Sequence, residues 1–65
     1  MTLGDLYRYS TEEQCFRVYS ESDLLSGNTD PIYRGKLADC KVELLDEIVD
    51  HFNAMDYEIN VVICI

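Results

Sequence analysis

The sequence predicts an α+β fold: a short N-terminal helix, an antiparallel sheet of three or four strands and a second amphipathic helix packed on that sheet. Three observations carry this expectation. Thr2-Leu3-Gly4-Asp5 has the form of a capped helix start, two alternating segments flank a turn-rich stretch, and the chain closes on a β-branched apolar run. The 65 residues suffice for a single small domain, residues 1–65.

In order, Thr2 is placed to cap a helix over residues 3–9, with Leu3, Leu6 and Tyr7 on one stripe and Asp5 near the positive helix end. Cys15 to Ser20 is rich in aromatic and β-branched residues, with Phe16 and Val18 sharing a face, and reads as a half-buried strand. Glu21 to Pro31 is dense in turn formers and reads as a hairpin loop. Ile32 to Leu37 is the return strand, in which Gly35 suggests a bulge or a close backbone approach. Tyr19 and Tyr33 then suit a cross-strand aromatic contact, and Tyr9 and Tyr57 should be partly exposed. Between Asp39 and Asn53, Leu44, Leu45, Ile48, Val49 and Phe52 share one face at helical period. A strand from Glu47, with Ile48, Phe52 and Ala54 on one face, is the competing reading, but Asp50 falls among them and periodicity favours the helix. The final run, Ile59 to Ile65, is apolar on both faces, as in a central strand or an edge covered by a second copy of the chain. A homodimer follows from the latter.

Composition excludes several functions. Asp and Glu number 13 against 5 Lys and Arg, a net charge of -8, which repels DNA, RNA and anionic lipid and directs the search toward a basic protein surface. No apolar run approaches the ~18 residues of a membrane span, and the first residues lack the basic and apolar regions of a signal peptide, so the expected location is the cytoplasm. Three cysteines, Cys15, Cys40 and Cys64, are an odd and sparse set for a disulfide scaffold and read as reduced buried thiols. His51 is the only histidine, and no metal-ligand spacing, Gly-rich phosphate loop or nucleophile–base pair stands out. The chain is therefore expected to be no enzyme and to need no cofactor or metal.

The acids are unevenly placed. Asp39, Glu43, Asp46, Glu47, Asp50, Asp56 and Glu58 crowd one segment whose only cation is Lys41. On a helix over 41–52 the first five recur at i, i+4, i+7, i+8 and i+11, a carboxylate stripe with charges ~5–6 Å apart. Phosphates of one DNA strand advance ~3.4 Å per residue, so a cationic groove shaped for nucleic acid accepts such a stripe. These residues, with Tyr57 as an exposed aromatic beside them, are the expected partner-binding set.

Thr2-Leu3-Gly4-Asp5-Leu6, Phe16-Arg17-Val18-Tyr19, Tyr33-Arg34-Gly35-Lys36, Leu44-Leu45-Asp46 and Ile59-Asn60-Val61-Val62-Ile63 together resemble small acidic uncharacterised proteins encoded by phages and prophages of gut Firmicutes. The resemblance runs over most of the chain on short motifs and brings no catalytic residues. It implies a strand after the Leu-Leu-Asp that pairs with the last one, a hairpin of residues 47–55 with 57–65, against the helical period. It also implies an inhibitor, of the kind that occupies the nucleic-acid cleft of a host defence nuclease as anti-CRISPR proteins do. A phage accessory protein without mimicry, acting through its apolar and tyrosine surface, and a small ligand-binding sponge using His51 and the cysteines are the alternatives.

Overall fold

The computed structural model describes residues 1–55 and 57–65. Helix α1 spans Leu3–Arg8, and Thr2 caps it as a full capping box: its Oγ1 accepts from the Asp5 N–H while the Asp5 carboxylate accepts from the Thr2 N–H. Leu3 and Leu6 are the residues α1 buries. Strand β1 spans Cys15–Ser20, as the alternation predicts, and buries Phe16, Val18 and Ser20 on one face. The turn-rich connection holds a short helix α2, Glu21–Leu25, which the sequence reading treated as loop. Its cap is Ser20, whose hydroxyl accepts from the Asp23 N–H and donates to the Ile65 carbonyl. This is why a serine is buried at the end of β1.

Strand β2, Tyr33–Lys36, returns antiparallel to β1. The pairing runs through Phe16↔Gly35 without a break, so the glycine marks a close approach and no bulge. Its φ is +143°, and a Cβ there would sit 3.3 Å from the Tyr33 hydroxyl. Tyr33 pairs with Val18, which places it on the face opposite Tyr19, so the expected contact between the two tyrosines does not form. A 3-10 turn at Leu37–Asp39 leads to α3, a single turn at Val42–Leu45.

Here the structure departs from the favoured reading of residues 41–52. Only residues 42–45 are helical; Val49–Met55 is strand β3, paired antiparallel with β4, Glu58–Ile63. The hairpin alternative holds. The physical reason is demand elsewhere: β4 is apolar on both faces and has two edges to satisfy, and β3 supplies one of them. The segment before β3 is also claimed by the N-terminus. Leu3 N–H donates to the Glu47 carbonyl at 2.9 Å, Val49 N–H to that of Met1 at 2.8 Å, and Cys64 N–H to that of Ile48 at 2.8 Å. Those three bonds hold 47–49 extended. A bulge interrupts β3 between Val49 and His51, leaving Asp50 without a partner in β4.

The four strands form one sheet in the order β2-β1-β4-β3. Two pairings are antiparallel, as expected; β1 and β4 pair in parallel over six residues, from Cys15↔Glu58 to Ser20↔Ile63, so the sheet is mixed. The final strand is thus central. Both its edges are taken, which removes the ground for a homodimer built through it. Helix α1, the 3-10 turn and α3 cover one face, where Leu3, Leu6, Phe16, Val18, Leu37, Cys40, Val61 and Ile63 make the core, while α2 reaches the opposite face, with Leu24 near Tyr19, His51 and Val62. Away from α2, where Val62 is buried, the other face is open and carries Arg17, Tyr19, Arg34, Lys36, His51, Asn53, Glu58 and Asn60. No helix among the described residues is long and apolar enough to cross a membrane.

Candidate functional site

Because 46–55 is not a helix, the carboxylate stripe does not form; the predicted residues separate into three places. Asp39 and Glu43 flank a groove beside β2, together with Lys41, Ile32, Tyr33 and Leu44. Glu47 and Asp50 lie at the end of the sheet where β1 and β4 finish and β3 begins, with Asp46, the exposed C-cap of α3, just before them in the chain. Tyr57 and Glu58 are at the opposite end, beside Cys15. Asp56 lies outside the described residues. Tyr57 is 93% exposed and Tyr9 87%, as expected for both.

Glu58 does not present free charge. Arg17 and Arg34 each donate through Nε and Nη2 to its two oxygens, at 3.0–3.2 Å. The two arginines face each other across β1 and β2, and β4 brings one carboxylate between them. These four hydrogen bonds, those of Arg34 first and Arg17 second, hold the Glu58 carboxyl below the usual carboxylate range, while the same contact raises Arg17. The sign follows. A lowered folded-state pKa stabilises above the unfolded value of about 4.3, and the contribution is lost as pH falls through the folded value. Glu58→Gln is therefore expected to lower Tm by a few degrees at neutral pH and to leave the variant less acid-sensitive than the parent. Thermal melts from neutral to acid pH check this; parallel curves for the two proteins would contradict it.

At the other end of the sheet the acids are not compensated by Lys or Arg. Glu21 follows β1, Asp50 sits in the bulge of β3 and Cys64 follows β4, and one ligand-type atom from each lies within 4.8 Å of the other two. Partial desolvation of the sulfur, then the carboxylates of Glu21, Asp50 and Glu47 in that order, push the Cys64 thiol up. It stays a protonated thiol at neutral pH and a weak nucleophile. The set is two carboxylates and an exposed thiol, of a kind that surface acids make without a cation. Cys64 is exposed and Cys15 half-buried, so the expectation of buried thiols holds for Cys40 alone. Sequence reasoning missed Glu21, since only the parallel β1·β4 pairing carries it to Asp50.

His51 is exposed, with Nδ1 2.6 Å from Oδ2 of Asp50. It borders an open depression of about 320 Å³ on the uncovered sheet face, with Tyr19, Leu24 and Asn60. The Asn60 Oδ1 is buried there without a hydrogen-bond partner. None of the three thiols lines this depression; they belong to other parts of the surface or to the core.

The distribution of cations sharpens the asymmetry. Arg17 and Arg34 are engaged by Glu58, and Lys36 by Glu13, all on or beside the open face. No Lys or Arg follows Lys41 in the sequence. What the arrangement can do is attract a cationic surface to the end of the sheet that holds Glu21, Glu47 and Asp50. Compared with known proteins, the chain matches no family model, no curated protein and no solved structure.

Proposed function

We propose that the chain is a small acidic interaction protein that binds a basic surface of a partner protein, and that it does so as a phage-type inhibitor, occupying a cationic groove in which a host defence nuclease holds nucleic acid. The observation that supports this reading is the segregation of charge. Three of the five cations are tied to carboxylates on or beside the open sheet face, and the far end of the sheet gathers Glu21, Glu47 and Asp50 with no Lys or Arg among their ion-pair partners. Solubility needs net charge; it does not need three carboxylates brought together without a Lys or Arg partner. The mimicry acts through this cluster and not through a helical stripe, and it works in the host cytoplasm without catalysis, cofactor or contact with nucleic acid.

Capture from a bacterial lysate tests it, with the partner identified by mass spectrometry and the binding repeated at raised ionic strength. The reading expects a partner with a basic nucleic-acid-binding cleft, released by salt because exposed charge pairs are screened beyond about 10 Å at 0.1 M. A partner retained unchanged at high salt would favour the accessory-protein reading, for which the exposed Ile48, Phe52 and Met55 provide the apolar surface.

A further inference from the structure

We propose that the free edge of β3 is a docking site for an extended basic strand of another protein, which joins the sheet as its fifth strand. This rests on the acidic reading above and specifies how the partner is held. One side of β3 is paired with β4; on the other, Met1 and Leu3 bond the chain at Val49 and Glu47, and among the described residues no strand pairs with residues 51–55. Six of its seven residues are exposed, Phe52 at 47% and Met55 at 57%. Register sets Phe52 and Ala54 opposite Val61 and Ile59, on the helix-bearing side of the sheet. Their exposure means that the helical layer stops short of β3, which is bare on both faces.

Soluble proteins blunt long edges with Lys, Pro or a bulge. The bulge in β3 is confined to its Val49 end, and residues 51–55 contain neither Lys nor Pro. An added strand finds main-chain donors and acceptors along that run, with an apolar strip beside them. Charge decides the occupant. Glu21, Glu47 and Asp50 stand at the Val49 end, and no Lys or Arg is supplied by this chain after residue 41. A second copy would add a further net charge of -8 with nothing to offset it. A strand alternating apolar and basic residues places one set against Phe52 and the other toward the carboxylates.

The probe is a short peptide alternating Val and Lys. It is compared with its Val and Glu counterpart and with two forms N-methylated at the odd or at the even residues, which keep the charge and remove the donors of one edge. Binding is titrated while amide hydrogen exchange is followed on the intact chain. The expected result is that the Val/Lys peptide slows exchange within residues 51–55, that one N-methylated form binds about tenfold weaker, and that the Val/Glu peptide does not bind. Equal binding of both N-methylated forms, lost on reversing the acids, would overturn the docked strand and leave the acidic reading standing. Absence of binding by the Val/Lys peptide would overturn the docked strand as well. Slowed exchange in β3 without peptide, together with a two-chain mass, would overturn it in favour of a second copy.

Discussion

Phe16→Ala is expected to leave the chain unfolded at 25 °C. Phe16 is 1% exposed at the centre of β1, paired with Gly35 on one side and Ile59 on the other, under the helical layer. Glycine offers no side chain to close the hole, and Ile59 is already packed against the same cluster. Truncating a buried Phe costs about 3–5 kcal/mol, most of which is lost transfer energy and cavity. A domain this small sits near the low end of the usual ~5–15 kcal/mol, so the loss consumes most of its stability. Far-ultraviolet circular dichroism and a proton–nitrogen correlation spectrum check it. Phe16→Leu, which keeps most of the volume, should retain a dispersed spectrum; a folded alanine variant would show that the core relaxes around the site.

Reversing Glu43, Asp46, Glu47 and Asp50 to Lys together is expected to weaken binding to the captured partner about 100-fold, with the fold intact. Each exposed pair contributes a few tenths to about 1 kcal/mol, and four such losses sum to roughly two decades in affinity. Glu43, Asp46 and Asp50 are exposed, and what the core segment takes from Glu47 is its carbonyl, which any residue provides. The melting temperature should therefore change little while the dissociation constant moves. Because Asp50 and Glu47 share the end of the sheet and Glu43 lies by the β2-side groove, the pair Glu47→Lys/Asp50→Lys should account for most of the effect. Equal loss from Glu43→Lys alone would move the interface to that groove.

The parts of the molecule governed by local rules were legible. The Thr2 cap, the stripe of Leu3 and Leu6, and the alternation from Cys15 to Ser20 each depend on neighbours within a few residues, and each is present. The segment 46–55 failed because its five apolar positions satisfy a helix as well as a sheet. The decision came from β4 and from the Met1 and Leu3 backbone, which a local window does not contain. Pairing partners are likewise invisible to periodicity. That Glu58 meets Arg17 and Arg34, 41 and 24 residues away, and that Glu21 meets Asp50, follows from the parallel β1·β4 register together with the pairings of β2 and β3 on either side. The carboxylates that a helix would have set in one stripe are thus dispersed over three places.

The position of β4 bears on how the protein is made. It is the last of the four strands in chain order, yet it alone bridges the β1–β2 hairpin to β3. Until it is released, the nascent chain holds a two-stranded hairpin that is marginal by itself and a strand with no neighbour. Most of its close contacts span distant positions, so closure is slow relative to a helical chain of equal size. Folding therefore waits on β4, and the interval in which bare strands can be caught by a protease or by one another is set by how fast β4 threads between them.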